Sequence, residues 1–191
     1  MGRKRVIDQE QILDAAEIVV ARDGAAKLTL DAVAVQAGIS KASVIYDYKS
    51  KQALIEALVL RAVRNDNAFN DAKTADLGAV DSPVIRGRIA AAAQPFPDEF
   101  RAVALNLGAA MAQDTELRGV FQANQSRVID EIAATSAQPR GALLAYLALE
   151  GLKLLESLDY HRWPAAERAQ IIAEIGWLVD VVPQPAGSPK A

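Results

Sequence analysis

The sequence contains no cysteine and a single histidine, His161. The first absence excludes disulfides, thiolate metal sites and thiol redox chemistry. The second speaks against a histidine-built metal site or catalytic triad. Aromatic residues make up only 5% of the 191-residue chain although 51% of it is hydrophobic, so alanine and leucine carry most of the apolar content. Such side chains lose little freedom in a helix, which favours helices over sheets. No apolar run is long and clean enough to span a bilayer, because Glu150, Lys153, Glu174 and Asp180 interrupt the longest ones. The opening MGRKRVIDQEQ lacks the apolar core of a secretory signal. No Gly-rich phosphate loop of the right spacing is present, and the acidic residues are scattered along helix faces. The expectation is a cytoplasmic protein with no membrane partner, no metal or other cofactor and no enzymatic activity.

One sign of charge is only slightly in excess. The formal net charge is −3, which argues against nucleic-acid binding over the whole surface but leaves room for a local basic patch. Residues 1–60 hold eight basic and eight acidic groups, so the negative excess lies entirely beyond them.

What is present is helical periodicity. Ile12, Ala15, Ala16, Val19 and Val20 recur at helical spacing between Asp8, a candidate N-cap, and Gly24, a candidate stop. Thr29 caps a short second helix, with Asp31 favourable in its first turn, and Gly38 ends it. Ser40 caps a third helix through about Tyr46, and Ser50 a fourth running to about Ala72. Residues 73–83 read as a loop, followed by short helical material to about Ala93. Further helices are expected over about 97–112, 115–135, 139–158 and 164–181. No strand is predicted, so the fold class is all-α. The chain is expected to divide near residue 50, into 1–50 and a larger 51–182, with the Pro/Gly/Ser-rich 183–191 a disordered tail.

Within residues 30–49, Ala34 is followed four positions later by Gly38 and six after that by Val44. The small residue lets two helices cross closely. The glycine supplies the positive φ of a tight turn. The valine packs the inner face of the second helix, with Val33 and Ile39 completing a small core. This is helix-turn-helix spacing, although a plain αα-hairpin shares it. Arg3, Lys4 and Arg5 precede the first helix as a basic arm, and Lys41, Lys49 and Lys51 flank the second with Tyr46 between them, a set suited to phosphate clamping.

The stretch TLDAVAVQAGISKASVIYDYKSKQAL, residues 29–54, resembles the DNA-binding signature of TetR-family transcriptional regulators, roughly T-x-x-x-I-A-x-x-A-G-V-S-x-G-x-L-Y-x-H-F-x-x-K-x-x-L. The match spans about residues 8–60, and the remainder matches in length, helicity and helix order. The resemblance implies a dimer with three DNA-binding helices and a larger C-terminal ligand domain, most members being repressors released from DNA by a small effector. Carried over position by position, it implies that Thr29 contacts phosphate and that Lys41 and Ser43, with the neighbouring Ser40 and Ala42, face the DNA. Tyr46 and Lys51 match phosphate contacts, the latter at a helix N-terminus. Three positions depart from the pattern: Ala42 for glycine, Ile45 for tyrosine and Asp47 for histidine. Ile45 cannot hydrogen-bond a phosphate and could touch a thymine methyl instead. Asp47 either pairs with Lys51 at i,i+4 or accepts from a cytosine amino group.

In residues 139–158 one polar stripe, Tyr146, Glu150, Lys153 and Ser157, faces a surface otherwise apolar, with Leu144, Leu147, Gly151, Leu155 and Leu158 on one side. Ala169, Ala173 and Gly176 in the last helix permit close approach. These two helices are expected to form a four-helix bundle across a two-fold axis, the alternative being burial within one monomer. Candidate effector-binding residues are Phe96, Phe100, Leu107, Met111, Phe121 and Gln125, with Asn106, Gln122, Asn124 and Arg127 as further polar groups; ordinary core is the competing reading for each. The function expected is a homodimeric DNA-binding regulator, a repressor released from its double-stranded operator by a small, largely apolar effector. The alternative is an all-helical interaction module without sequence-specific DNA binding.

Overall fold

A computed structural model describes residues 8–94 and 98–183, except for the side chains of 98–101, 104 and 113. The basic arm Arg3, Lys4 and Arg5, the side chains of Phe96 and Phe100, and residues 184–191 of the tail lie outside the described residues. Among the described residues there are nine α-helices and no strand. Their order is α1 (Gln9–Asp23), α2 (Leu30–Ala37), α3 (Lys41–Asp47), α4 (Lys51–Asp76), α5 (Pro83–Ala92), α6 (Asp98–Gln113), α7 (Thr115–Thr135), α8 (Pro139–Ser157) and α9 (Ala165–Leu178). A 3-10 turn, Ala25–Lys27, separates α1 from α2.

The chain divides into two compact units, one of residues 1–64 and 97–121, the other of 65–96 and 122–191. In the first, Ile12, Val19, Val20, Leu28, Val33, Val44, Leu54 and Leu58 form a closed core, joined by Leu107 and Leu117. Each helix start is a local hydrogen bond. Asp8 accepts from the Glu10 amide at 3.0 Å, Thr29 from that of Ala32 at 3.0 Å, Ser40 from that of Ser43 at 3.1 Å and Ser50 from that of Ala53 at 3.1 Å. Each cap satisfies a donor that the first turn leaves free. Gly38 is left-handed, φ 66°, and the next amide, that of Ile39, donates to the Ala34 carbonyl at 3.0 Å, so the turn closes over the helix end.

In the first unit α6 is fastened to the end of α1. The Asn106 amide donates to the Ala102 carbonyl at 2.7 Å and the Val20 carbonyl at 3.4 Å, while its oxygen accepts from the Ala25 amide at 3.4 Å. Asn106, expected among the polar groups of an effector site, here ties the helix end at Gly24.

In the second unit Ile85, Val128, Ile132, Ala142, Ala145, Tyr146, Leu149 and Ile175 form the core. Two close approaches need glycine. A Cβ on Gly141 would lie 2.3 Å from the Val181 carbonyl oxygen, and one on Gly87 would lie 2.8 Å from the Thr74 Cα.

Two expectations are corrected here. The fourth helix runs to Asp76 rather than about Ala72, because the polar residues after it are compatible with helix and Thr74 bonds back to the Asn70 carbonyl at 2.9 Å. The helix is followed by a turn at Leu77 and then by Gly78 in the left-handed region, φ 67°. On α8, Tyr146 does not belong to an outer polar stripe: it is 3% exposed, on the inward face with Ala142, Ala145, Leu149 and Leu152. Its hydroxyl donates to the Gln125 side-chain oxygen, which lets the ring be buried without an unpaired polar group. The outward face of α8 is apolar instead, with Leu147 57% and Leu154 55% exposed beside Gly151 and Leu155. On α9, Ala169, Ala173 and Trp177 are likewise exposed.

Burial, reinforced by the nearby Glu150 carboxylate, pushes the Tyr146 hydroxyl from 10.0 up to about 12. A phenol that holds its proton more tightly when folded contributes stability that is complete below the ordinary value and lost as pH rises towards the folded one. The loss between pH 10 and 12 should be on the order of 2–3 kcal/mol. Denaturant midpoints measured across that interval should fall for the parent protein. Tyr146→Phe should be less stable at neutral pH, by about 1 kcal/mol for the lost bond to Gln125, and should show a shallower alkaline decline. An equal decline in both proteins would remove Tyr146 as its source.

Candidate nucleic-acid interface

α3 is positioned by one inward residue. Val44 is fully buried in the first core, and Tyr48 leaves the helix in extended conformation with its amide on the Val44 carbonyl at 2.8 Å. At about 100° per residue, Ala42 and Tyr46 then lie nearly opposite Val44, with Ile45 and Lys41 on one flank and Ser43 on the other. Accessibility agrees: Lys41, Ala42, Ile45 and Tyr46 are exposed, while Ser43 is half-buried.

The polar groups of this surface are engaged, but weakly. Lys41 Nζ lies 2.8 Å from an Asp31 carboxylate oxygen, both side chains being more than half exposed. An exposed pair of this kind is worth about 0.2–1 kcal/mol, so a stronger anion can displace it. Thr29 accepts the Ala32 amide at its hydroxyl oxygen, leaving the hydroxyl hydrogen available to a phosphate. The Ser40 and Ser43 hydroxyls lie 2.8 Å apart. Lys51, on the first turn of α4, donates to the Ala26 carbonyl at 2.7 Å. The ammonium of Lys49 sits 5.6 Å from the centre of the Tyr46 ring and donates to the Tyr46 carbonyl at 3.0 Å. Lys49 thus brings its charge to the most exposed aromatic of the surface, a placement that its position outside the helix did not reveal.

Asp47 does not pair with Lys51. Its oxygen accepts from the Gln9 side-chain amide at 3.0 Å, tying the start of α1 to the end of α3. The i,i+4 geometry requires one continuous helix, and the chain is extended at Tyr48 between α3 and α4.

The expected effector-binding residues are distributed. Leu107 is core and Met111 packs against that core in the first unit; Phe121 is exposed. Gln125 belongs to the second unit and holds Tyr146. Near it a chain of amides and charges runs from Arg88, 93% buried, to Asn67 at 3.3 Å, from Asn67 to Asn124 at 2.8 Å, and from Arg127 to Asn124 at 3.1 Å. An apolar groove of about 270 Å³ lies between α7 and α8, lined by Ile129, Ile132, Ala133, Pro139, Arg140 and Leu143. Among the described residues no cluster of three or more His, Cys, Asp or Glu could hold a metal, and no helix is long and apolar enough to cross a membrane.

Sequence comparison matches residues 12–58 to the family described as bacterial regulatory proteins, tetR family, and residues 82–180, over half of the chain, to the tetracyclin repressor-like C-terminal domain. The chain belongs to the TetR family of transcriptional regulators. A TetR-family member is a DNA-binding regulator and not an enzyme, and this membership sets aside a helical interaction module without DNA function. No curated protein matches the sequence. Solved structures share the fold at low identity. A transcriptional regulator of Streptomyces coelicolor A3(2) is 18% identical with a TM-score of 0.72, over 91% of this chain and 98% of its own. A transcriptional regulator of Saccharomonospora viridis in complex with choline is 18% identical with a TM-score of 0.68, over 87% and 93%. The multidrug binding protein EbrR complexed with imidazole is 21% identical with a TM-score of 0.66, over 93% and 96%.

Proposed function

We propose that this TetR-family regulator is a cytoplasmic, homodimeric repressor that a small, largely apolar effector releases from its operator. The observation that carries the reading is the outward surface of α3, with Lys41 held only by an exposed carboxylate and Thr29, Tyr46, Lys49 and Lys51 around it. Ser40, Ala42 and Ser43 complete the DNA-facing set, and Arg3, Lys4 and Arg5 add an arm to the backbone contacts. Residues 1–50 serve DNA binding and 51–182 effector binding and dimerisation, with 183–191 a tail.

The exposed apolar surface of α8 and α9 supports dimerisation through these helices, since a monomer gains nothing by presenting Leu147, Leu154 and Trp177 to water. A two-fold dimer sets two copies of α3 to read half-sites about one helical turn apart. The effector is assigned to the second unit, where Gln125 and its neighbours offer polar groups beside apolar surface. It acts by favouring a form in which the two copies of α3 no longer match that spacing. The choline and imidazole complexes of the S. viridis regulator and EbrR support a search among small organic molecules of this size.

Footprinting on the DNA flanking its own gene should show two half-sites one turn apart. Lys41→Ala should weaken binding about tenfold per half-site, within the range for one base contact, and so about a hundredfold for the dimer. Lys51→Ala, which removes one phosphate contact from each protomer, should lower the salt slope of the dimer by about two. A footprint of one uninterrupted half-site would overturn the dimeric reading, and an unchanged Lys41→Ala affinity the base-contact assignment. A thermal-shift screen of small organic molecules, followed by gel shifts with each hit, tests effector release.

A further inference from the structure

α3 reads KASVIYD, and the hydrogen-bonding groups its outward side offers DNA are few: the Lys41 ammonium, the Tyr46 phenol and, on the flank, the Ser43 hydroxyl. It has no arginine, asparagine or glutamine, the planar side chains that bind a purine edge bidentately. Lys41 is its one cation, and Ser43 already shares its hydroxyl with Ser40 at 2.8 Å. Ala42, Ile45 and Tyr46 stand at i, i+3 and i+4, so they form one contiguous ridge. All three are exposed, Ile45 at 38% and Tyr46 at 77%. Ala42 and Ile45 have no polar atom in their side chains. A β-branched residue in a helix is also nearly fixed at χ1, so Ile45 presents a rigid apolar surface with little freedom to lose on binding.

In the major groove one base-edge group suits such a surface, the C5-methyl of thymine. We propose that each operator half-site contains a thymine whose methyl group packs against Ala42 and Ile45, making Ile45 a specificity-determining residue. The inference rests on the reading of α3 as the DNA-facing helix. It assigns the departure at Ile45 a role in sequence discrimination rather than a lost phosphate contact. Asp47 is not part of this ridge: three residues after Val44 it lies towards the inward side of α3, where its carboxylate accepts from the Gln9 side-chain amide at 3.0 Å.

The test begins with selection of duplexes bound by the full-length protein from a random-sequence pool. In the selected site each thymine is replaced singly by deoxyuracil, which removes the methyl and preserves every hydrogen-bonding group. Burying one methyl corresponds to about fourfold in affinity, and to about fifteenfold when both half-sites are changed. One position per half-site should show this loss with the parent protein. Ile45→Ala, at an exposed position, should unfold at the parental temperature and bind thymine and uracil duplexes alike. A half-site free of thymine, uracil tolerated at every position, or a uracil penalty of parental size in Ile45→Ala would each overturn the inference and leave the regulator reading standing. A pool with no enriched sequence would overturn that reading and this inference together.

Discussion

Leu147→Glu is expected to give a folded monomer whose affinity for a two-half-site operator is lower by a factor of about a hundred or more. In the single chain Leu147 is 57% exposed, so a glutamate there keeps its water and costs the protomer little. In the proposed dimer the outer face of α8 changes its surroundings only when a second copy covers it. A two-fold interface is self-complementary, so one substitution brings two carboxylates into the same apolar seam. Taking each out of water without a partner costs several kcal/mol, more than the neighbouring Gly151, Leu154 and Leu155 can offset by packing. The loss then propagates to DNA. Linked half-site readers gain about 10²- to 10⁴-fold from effective concentration, and a monomer forfeits that gain. Light scattering should report the monomer mass, circular dichroism an unchanged helix content, and gel shifts the lost affinity. A dimer of parental affinity would place the seam elsewhere than on α8.

Arg61→Met should lower the stability of the parent chain by about 2–3 kcal/mol, seen as a fall of roughly 5–10 °C in Tm. Arg61 is 4% exposed and sits on α4 against three carboxylates of α1. Its guanidinium nitrogens lie 2.7 Å from Asp14, 2.7 Å from Glu17 and 3.2 Å from Glu10. Burial works against its charge, and the hydrogen bonds to Glu17 and Asp14 more than offset that, so the charge is held above its ordinary range. A group shifted upward contributes its stability at every pH below its ordinary value, so the ion cluster is intact throughout the neutral and acidic range as far as arginine is concerned. Removing one partner of a buried pair costs about 3–5 kcal/mol when the other stays dry. Here Glu10 and Asp14 are more than half exposed and regain water, which sets the lower figure. Methionine preserves the apolar stem, so the change isolates the charge. The three carboxylates then repel one another, and added salt should stabilise the variant more than the parent. Equal Tm values, or equal salt responses, would show that the cluster contributes nothing net.

The beginnings and ends of the N-terminal helices were legible because they are local. Asp8, Thr29, Ser40 and Ser50 each bond an amide two or three residues away, and Gly38 needs only its own positive φ. The same holds for Val44 as the inward residue of α3, which determines the outward ridge by helical geometry alone. Where a residue's partner lies far along the chain, periodicity was silent. Asp47 and Gln9 are 38 positions apart, and Arg61 meets carboxylates 44 to 51 positions away. On α8 nearly the whole circumference is apolar, so its hydrophobic pattern could not choose which side faces inward. At Tyr146 the hydroxyl reads as surface until Gln125, 21 residues earlier, is brought within reach.

By itself the sequence determined the all-helical class, the caps, the tight turn at Gly38 and the resemblance of residues 29–54 to a DNA-reading unit, since each rests on spacing of a few residues. Only the tertiary structure decided that Asn106 and Leu107 serve the first unit's core, that Asp47 braces α1, and that α8 turns Tyr146 inward and Leu147 outward. Those outcomes depend on which distant side chains can satisfy a buried polar group or fill a given space, and that is a property of packing rather than of order along the chain.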